Sequence, residues 1–503
     1  MQLDRDLESI QAVRDLMRNA KTAAAALAEF SQEQLDRICA EIAKEGAANA
    51  ERLAKLAHEE TGFGVWQDKV LKNELGSAMT WDAWKHTRCV GMLHEGTANQ
   101  GPTDCGPTSQ GLWEIGVPMG IVAALIPSTN PTSTTLYKAI IALKAGNAIV
   151  FSPHPNAKRS ILATVELVQT AAARAGAPEH AVQSITLTTM EAANALLTHR
   201  DTSIILATGG EAMVRAAYSS GNPAIGVGPG NGPAFIEQSA DVPAAVRHII
   251  QSKTFDNGTI CASEQSVVTE ACISAQAEEE FKRQGGYFLS DEESGRLAKL
   301  LLRPNGTMNP QIVGKSAAVI AEMAGISIPA GTKVLLSRQC EVSPRSPYAR
   351  EKLCPVLAWF TEPDWQTACE RCIALLQTEG AGHTMTIHSK NEAVIREFAL
   401  KKPVSRLLVN TPAALGGVGA TTALAPALTL GCGAVGGSST SDNVGPLHLI
   451  NIRRVAFGIK EIEGRTPQAN HAQISTQTQQ NINITPEQIA EITRQVLARL
   501  GKS

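Results

Sequence analysis

The chain has 503 residues, and single hydrophobic cores stop growing at roughly 250 to 300, so we expect two or three domains. A net charge of −3 with 18% charged residues produces no field that would attract nucleic acid or an anionic membrane, which favours small-molecule chemistry. Ten cysteines are too sparse for a disulfide framework, and neither a signal peptide nor a bilayer-spanning run is seen, so we expect a soluble cytosolic protein.

The first hundred residues are helical by pattern. Apolar residues between Leu3 and Leu16 recur at steps of three and four, and Ala-rich stretches over 22–58 continue the pattern. We interpret this region as a cap or layer rather than as a site. Between 94 and 112 the composition changes to Gly, Thr, Pro and Ser, which indicates an extended or loop excursion.

From residue 113 short apolar strands alternate with helical stretches, which is typical of right-handed βαβ units in a parallel sheet. The predicted strands are 121–126, 148–151, 185–187 and 204–207, and the predicted helices are 132–145, 157–175 and 191–199. Polar loops follow three of the strands: Pro127-Ser-Thr-Asn-Pro, Ser152-Pro-His-Pro and Thr208-Gly-Gly-Glu. Parallel sheets bind ligands at the carboxyl ends of their strands, and helix N-termini behind such loops suit phosphate groups.

A second αβ block spans 237–432, with strands predicted at 333–336, 356–360, 384–388 and 406–409. Within this block, Cys261 lies where a small polar loop meets a β-prone run. It is a candidate nucleophile, with backbone N–H groups nearby that can bind an oxyanion. The alternative is a small core residue, the commoner role of a cysteine in an apolar setting. Further on, the extended run 447–457 could be a strand exchanged with a partner subunit.

The close cysteine pair Cys369 and Cys372 lies in an amphipathic helical pattern. Because no second pair follows at zinc-site spacing, ordinary helix packing is favoured over metal or redox chemistry. We predict no metal site.

The end of the chain has a different character. Residues 466–483 contain no Asp, Glu, Lys or Arg and are rich in Gln, Asn and Thr, which predicts a flexible linker. A short helix follows, with Thr485 as N-cap, Pro486 in its first position, Gln488 completing a capping box and Ile484 packed on Ile489. Its apolar stripe comprises Ile489, Ile492, Val496, Leu497 and Leu500. The helix could dock on its own catalytic body, but the linker favours a docking peptide that binds another protein.

Seven short motifs occur together and in one order along the chain. They are Ile-Pro-Ser-Thr-Asn-Pro-Thr-Ser at 126–133, Phe-Ser-Pro-His-Pro at 151–155, Ala-Thr-Gly-Gly at 207–210, Gly-Val-Gly-Pro-Gly-Asn at 226–231, Phe-Asp-Asn-Gly-Thr-Ile-Cys-Ala-Ser-Glu-Gln at 255–265, Glu-Lys-Leu-Cys-Pro-Val at 351–356 and Gly-His-Thr at 382–384. Each motif alone is weak, but the ordered set resembles the CoA-acylating aldehyde dehydrogenases. The resemblance covers about residues 1–462 and is strongest to the acetaldehyde and propionaldehyde dehydrogenases of bacterial microcompartments and to the aldehyde dehydrogenase half of bifunctional aldehyde-alcohol dehydrogenases.

The resemblance implies an α/β aldehyde dehydrogenase fold. A Rossmann-like cofactor domain would span 1–236 with an oligomerisation excursion near 94–118, and an α/β catalytic domain would span 237–432. Residues 433–465 would return to the cofactor domain and supply an oligomerisation strand. The linker 466–483 and the amphipathic targeting helix 484–503 lie outside the resemblance, and this tail is similar to the encapsulation peptides that carry enzymes into bacterial microcompartments.

The resemblance also implies catalytic roles. Cys261 matches the nucleophile, which attacks the aldehyde to form a thiohemiacetal and then, after hydride transfer to the nicotinamide, a thioester that coenzyme A cleaves. Asn130 matches the side-chain amide that holds the hemiacetal oxygen together with the Cys261 N–H, although an asparagine before proline is otherwise a turn or cap residue. His383 could help to deprotonate coenzyme A, or it could simply satisfy a strand end.

Eight residues are candidates for cofactor binding: Pro127, Ser128, Ser152, His154, Thr208, Gly209, Gly210 and Glu351. Thr208 to Gly210 would let a helix N-terminus approach the pyrophosphate, although a Thr-Gly-Gly alone is common in turns. Glu351 matches the glutamate that binds the nicotinamide ribose, and its alternative is a solvated helix residue.

Two departures from the hydrolytic branch of the family are informative. Gly226 falls where hydrolytic relatives carry a glutamate base, so water would lack an activator and thiolysis by coenzyme A would be favoured. Ser152 falls where those relatives carry a lysine on the adenosine ribose, which leaves the choice between NAD and NADP open.

We therefore predict an NAD-dependent acylating aldehyde dehydrogenase that converts acetaldehyde or propionaldehyde and coenzyme A to acyl-CoA, reversibly. The alternatives are an acylating sulfoacetaldehyde dehydrogenase and an inactive relative that acts as a shell-interaction scaffold. We expect a homodimer or homotetramer in the bacterial cytoplasm, in the lumen of a microcompartment. The terminal helix would bind shell or cargo proteins, and no nucleic acid or membrane partner is expected.

Overall fold

The computed structural model describes residues 4–95, 111–458 and 485–500. The chain forms two compact units, Met1–Ala456 and Phe457–Ser503. Across the described ranges, every helix is too short or too polar to span a bilayer.

The helical start of the chain is as predicted. It comprises α1 (Arg5–Leu27), α2 (Gln32–Ala48), α3 (Ala50–Thr61), α4 (Trp66–Glu74) and α5 (Thr80–Trp84), with a π-helical turn at Leu75–Met79. A capping box of Ser31 and Gln34 begins α2, which satisfies backbone N–H groups that the helix itself leaves free. Two strands follow, β1 (Gly91–Glu95) and β2 (Leu112–Pro118), and most of the predicted excursion between them lies outside the described residues.

The predicted βαβ alternation is confirmed in a five-stranded sheet. Its elements are β3 (Ile121–Ile126), α6 (Pro131–Lys144), β4 (Ala148–Pro153), α7 (Lys158–Arg174), β5 (Val182–Ser184), α8 (Met190–Leu197), β6 (Ile204–Thr208), α9 (Glu211–Tyr218) and β7 (Ala224–Val227). All strands are parallel, in the order β5-β4-β3-β6-β7. The strand predicted at 185–187 is wrong by three residues, because pairing with β4 starts at Val182 opposite Ile149 and the chain bends away after Ser184.

A seven-stranded parallel sheet forms the second block. Its elements are β8 (Pro233–Ile236), α10 (Val242–Thr254), β9 (Ser266–Glu270), α11 (Ala271–Gln284), β10 (Gly286–Phe288), α12 (Asp291–Leu301), α13 (Ala317–Met323), β11 (Val334–Arg338), β12 (Val356–Glu362), α14 (Trp365–Thr378), β13 (Gly382–His388), α15 (Glu392–Lys401), β14 (Val404–Val409) and α16 (Ala413–Gly417). The strand order is β10-β11-β12-β9-β8-β13-β14. Alternate side chains of its strands pack into two apolar cores, one on each face of the sheet. Val268 and Phe360 belong to one core, and Val267 and Trp359 to the other.

The passage from one sheet to the other lies between Val227 and Pro233, a few residues before the predicted boundary at 236/237. The reason is local: β8 already pairs with β9 and β13 of the second sheet. The predicted helix around Cys369 and Cys372 is confirmed, since both thiols are buried on α14.

A small antiparallel sheet completes the first unit. Strand β15 (Ile450–Ala456) pairs along β2, from Ile450 opposite Pro118 to Ala456 opposite Leu112, and β1 pairs with the other edge of β2. The extended run predicted at 447–457 is therefore a strand from residue 450, preceded by a short 3-10 turn. Most β15 side chains are exposed, and its exchange with a partner stays a prediction.

The second unit contains α17 (Pro486–Leu500), and its start agrees with the predicted helix signals. The Thr485 N–H donates to Gln488 Oε1 at 3.0 Å, which is one half of the predicted capping box. Ile489 and Ile492 are each 56% exposed. Ile484 and the predicted linker lie outside the described residues.

Candidate active site

A cavity lies at the point where the strand order of the five-stranded sheet reverses. Connections run in opposite directions from the central strand β3, so the loops after β3 and β6 separate and leave a crevice at their carboxyl ends. The cavity has a volume of about 240 Å³. Nine of the predicted site residues line it: Pro127, Ser128, Asn130, His154, Thr208, Gly209, Gly210, Cys261 and Glu351.

Cys261 enters the cavity from a sharp turn that leads into β9. The turn is left-handed at Asp256 (φ 49°), Asn257 (φ 50°) and Gly258 (φ 79°), a conformation that asparagine, aspartate and glycine tolerate best. Cys261 is half-buried. Burial raises the pKa of its thiol to about 12, the negative charge of Glu351 adds to the rise, and Arg406 opposes it. The resting thiol is therefore protonated at neutral pH.

The Asn130 amide faces the same turn. Asn130 is the N-cap residue of α6, yet its side chain makes no cap hydrogen bond. Instead Nδ2 donates to the Thr259 carbonyl at 3.2 Å, and Oδ1 accepts from Lys72 Nζ at 2.7 Å. The oxyanion donor and the nucleophile predicted from distant parts of the sequence thus meet in one cavity.

Glu351 lies on the side of Cys261 that belongs to the seven-stranded sheet. Its Oε1 accepts the Gly230 N–H at 3.0 Å. Burial raises the pKa of Glu351 to about 8, Glu379 adds to the rise, and the Gly230 hydrogen bond opposes it. At neutral pH the carboxyl is mostly protonated, so it can donate a hydrogen bond to a hydroxyl group and can also accept one from it.

The opposite wall is formed by backbone and small side chains. Gly210 precedes α9, and a Cβ placed there would meet no atom within 4 Å, so its backbone borders open space. Thr208 Oγ1 lies 3.0 Å from Thr429 Oγ1. This wall fits a dinucleotide, because free backbone at a helix N-terminus suits a pyrophosphate and Glu351 opposite suits a ribose hydroxyl.

Comparison with known proteins identifies the fold. A crystal structure of a probable aldehyde dehydrogenase from Listeria monocytogenes EGD-e is 57% identical, with a TM-score of 0.88, and the match covers 92% of this chain and 99% of that one. The model of the aldehyde dehydrogenase family matches residues 7–335. The chain belongs to the aldehyde dehydrogenase family.

Other solved structures place the chain near the acylating branch of the aldehyde dehydrogenases. An acetylating aldehyde dehydrogenase from Geobacillus thermoglucosidasius is 46% identical, with a TM-score of 0.88 and coverage of 92% of this chain and all of that one. A propionaldehyde dehydrogenase from the fucose utilisation microcompartment of Clostridium phytofermentans is 26% identical, with a TM-score of 0.80 and coverage of 90% and 98%.

Curated relatives differ in length and in the aldehyde that they are named for. The bifunctional aldehyde-alcohol dehydrogenase AdhE of Escherichia coli K12 is 43% identical over 88% of this chain, which spans about half (49%) of that protein. The acetylating succinate-semialdehyde dehydrogenase of Clostridium kluyveri is 38% identical, with coverage of 89% and 96%. The acylating sulfoacetaldehyde dehydrogenase of Bilophila wadsworthia is 35% identical, with coverage of 88% and 94%.

The residue expected to replace a hydrolytic base, Gly226, does not face the cavity. A Cβ at Gly226 would meet Val214 and Tyr218 on α9 and would not point into the cavity, whereas the neighbouring Val227 lines it. Successive residues of a strand face opposite sides, so Val227 faces the cavity and Gly226 faces α9. Valine cannot accept a proton, and the inference that water lacks an activator at this position is unchanged.

The structure does not bring two of the predicted site residues to the cavity. Ser152 is the penultimate residue of β4 and is only 9% exposed, and His154 forms the cavity wall at the loop that follows. His383 is fully buried at the start of β13, with Nδ1 2.9 Å from Thr384 Oγ1, and burial lowers its pKa to about 3. It lies behind Gly230, whose added Cβ would be 3.3 Å from His383 Nδ1 and would overlap the Cys261 carbonyl.

Sequence reasoning missed two groups of residues around the site. Apolar side chains from the segment after α16 line the cavity, namely Val418, Leu428 and Leu430. Lys69 and Lys72 on α4 lie behind the Cys261 turn, and no local signal marks them, because they reach it from about 190 residues away along the chain. In the described part of the chain, no three His, Cys, Asp or Glu side chains are grouped to hold a metal ion.

Proposed function

We propose that the chain oxidises a short aliphatic aldehyde, acetaldehyde or propionaldehyde, with NAD and coenzyme A to acyl-CoA and NADH, reversibly. The observation that carries this proposal is the meeting of Cys261 and Asn130 in one cavity, beside the apolar side chain of Val227. The similarity to acetylating and acylating enzymes supports the same chemistry.

The residues divide the reaction between them. The Cys261 thiol gives its proton to solvent water as its sulfur forms a bond to the aldehyde carbon, and the carbonyl oxygen takes the negative charge as its π bond to that carbon breaks. The Asn130 amide and the Cys261 N–H bind this oxygen. NAD, when bound, accepts the hydride that leaves the same carbon. The thioester left on Cys261 is then attacked by the sulfur of coenzyme A, and Cys261 departs as the leaving group.

Coenzyme A is favoured over water as the acyl acceptor. A thiol with an ordinary pKa near 8.5 is partly ionised at neutral pH, whereas water needs a base to become an effective nucleophile. Val227 supplies no such base, and the pKa of Glu351 near 8 leaves that carboxyl mostly protonated at neutral pH. We therefore expect slow hydrolysis and fast thiolysis.

The cavity wall favours an uncharged aldehyde. Among the described residues that line it, none is a lysine or an arginine, and Val418, Leu428, Leu430 and Ile260 are apolar. Burial lowers the pKa of His154, so that side chain adds no cation at neutral pH. A sulfonate or carboxylate on the substrate would lose hydration without gaining a partner, which argues against sulfoacetaldehyde and succinate semialdehyde.

The deciding experiment measures NADH formation by the full chain with acetaldehyde, propionaldehyde, butyraldehyde and sulfoacetaldehyde, each with and without coenzyme A. We expect CoA-dependent NADH with the two short alkyl aldehydes and little with the sulfonate. Faster oxidation of sulfoacetaldehyde would support the alternative substrate. NADH formation that does not require coenzyme A would contradict the acylating reaction, and complete inactivity would support a scaffold.

Location and assembly are a separate part of the proposal. A microcompartment lumen is supported by the similarity to the fucose utilisation enzyme and by an apolar face on α17, where Ile489 and Ile492 are exposed. The exposed strand β15 suits a homodimer or homotetramer. Deleting residues 466–503 should preserve aldehyde oxidation and abolish co-purification with shells, and misfolding of the truncated enzyme would assign the helix to the catalytic body.

A further inference from the structure

A buried ion cluster lies directly behind the proposed oxyanion site. Lys69 and Lys72 project from adjacent turns of α4, and their side chains are 3% exposed. Both contact the same carboxylate oxygen of the fully buried Asp256, Lys69 at 2.8 Å. The other Asp256 oxygen accepts the Val65 N–H at 2.7 Å. Burial opposes ionisation of Asp256, but Lys72 and Lys69 hold its pKa below the ordinary value.

The two lysines differ in what else they contact. Lys72 Nζ donates to Asn130 Oδ1 at 2.7 Å and lies 3.2 Å from Thr259 Oγ1. Lys69 Nζ donates to the Thr129 carbonyl at 3.2 Å, and within the described residues it makes no hydrogen bond to the Asn130 side chain. Both ammonium groups therefore bind Asp256, but only Lys72 contacts the side chain of the proposed oxyanion donor, whereas Lys69 contacts the backbone of the residue before it.

These contacts decide which way the Asn130 amide points. An ammonium group can only donate, so the amide atom that faces Lys72 must be the oxygen. A backbone carbonyl can only accept, so the amide atom that faces Thr259 must be the nitrogen. Thr259 precedes Cys261 by two residues, and the amide nitrogen is thereby held toward the nucleophile.

Donation by a charged group also changes the strength of the amide as a donor. A hydrogen bond from an ammonium group to the carbonyl oxygen polarises the amide, and hydrogen bonds in series reinforce one another in a low-dielectric site. The Nδ2–H of Asn130 should bind a developing oxyanion more strongly while Lys72 is in place. Without Lys72 the amide could rotate and present its oxygen to that negative charge.

We infer that Lys72 is a positioning residue for the oxyanion site: it orients and polarises the Asn130 amide from behind, while Lys69 supports the Asp256 turn and the Thr129 backbone. The inference rests on the proposed function, because it assumes that an oxyanion forms at Cys261. It adds a residue from the N-terminal helices to a site otherwise built from the two sheets.

The test is a double-mutant cycle on steady-state aldehyde oxidation by the full chain. Lys72→Met should lower kcat about 10- to 100-fold, less than the roughly 100- to 1000-fold expected for loss of the oxyanion donor itself. KM for the aldehyde should stay within about twofold, since the interaction is made in the transition state. In the Asn130→Ala background, Lys72→Met should change kcat by no more than about twofold, because its target is gone.

Lys69→Met is the matched control. It removes an equally buried ammonium from the same helix and leaves one lysine on Asp256, as Lys72→Met does. Its effect on kcat should be smaller and should multiply with that of Asn130→Ala. Lys72→Arg, which keeps a charged donor, should recover part of the activity. If Lys72→Met does not fold, the cycle is completed with Lys72→Gln, whose thermal unfolding is compared with that of Lys69→Gln.

A second measurement separates positioning of Asn130 from collapse of the Cys261 turn. Alkylation of Cys261 by iodoacetamide forms no oxyanion, so its rate should be the same in Lys72→Met and wild type. Parallel losses of alkylation and kcat, or multiplicative effects in the cycle, would overturn the inference while leaving the proposed function intact. Wild-type enzyme that oxidises no aldehyde would overturn the proposed function and this inference together.

Discussion

The two walls of the cavity are lined by different chemical groups. The wall that belongs to the five-stranded sheet consists of backbone, hydroxyl groups and an amide, as at Ser128, Thr208 and Gly210. The wall that belongs to the seven-stranded sheet carries Cys261 and Glu351, and burial raises the pKa of both. In the proposed reaction, the first wall binds the pyrophosphate and supplies the oxyanion donor Asn130, whereas the second supplies the nucleophile Cys261 and the ribose ligand Glu351.

The sharpest test of this division is removal of the nucleophile. Cys261→Ala should lower CoA-dependent NADH formation on the order of 10⁵-fold or more, because Cys261 is the only cysteine among the described residues that line the cavity. Cys372→Ala, which removes a buried thiol from α14, is the control and should retain activity. Residual turnover of Cys261→Ala within tenfold of wild type would assign the chemistry to another residue.

Removal of the Asn130 side chain tests the proposed oxyanion donor, which lies on the wall opposite Cys261. Asn130→Ala should reduce kcat about 100- to 1000-fold through loss of an oxyanion donor. The free energy of unfolding should fall by about 1.5 to 3 kcal/mol, because the side chain makes no cap hydrogen bond to α6 but accepts one from the buried Lys72 ammonium. Denaturant unfolding measured beside kcat checks both. A large loss of stability with an unchanged rate would make Asn130 a structural residue.

The pH dependence of Cys261 alkylation tests the wall that carries Cys261 and Glu351. In wild type, Cys261 alkylation should rise with pH through 10 without a plateau, since the thiol pKa is about 12. Glu351 has a pKa of about 8, so it is neutral below that pH and repels the thiolate above it. Glu351→Gln should therefore match wild type near pH 7 and react about threefold faster or more near pH 10. Equal alkylation rates of Glu351→Gln and wild type across this pH range would show that the Glu351 charge does not affect the Cys261 thiol.

The smallest effect is expected at Gly210, on the wall that belongs to the five-stranded sheet. Gly210→Ala places a methyl group in open space at the N-terminus of α9, so stability should not change while KM for NAD rises about two- to fivefold. Gly295→Ala is the control, because a Cβ there also meets no atom within 4 Å but lies on α12, away from the cavity. Equal KM values for NAD in both variants would argue against pyrophosphate binding at Gly210.

Much of this organisation could be predicted from the chain. The alternation of short apolar runs and helical stretches depends on neighbours within a few residues, and it predicted the parallel strands and the polar loops at their ends. Because parallel strands gather their carboxyl ends on one edge, Pro127, Thr208 and their neighbours could be expected to share a site. The ordered motifs then led to Cys261, Asn130 and Glu351, which the structure brings together.

Facing and burial depended on tertiary structure. Neighbouring residues of a strand face opposite sides, and the sequence does not reveal which of Gly226 and Val227 faces the cavity. His383 is enclosed by packing around β13, and Ser152 is covered where β4 ends. Lys72 reaches Asn130 across 58 residues of sequence, through a helix whose local pattern marks no site. The sequence by itself determined the elements and the chemistry-bearing loops, because these follow from short-range periodicity. Only the tertiary structure decided which side chains meet, because long-range packing sets the register and direction of each element.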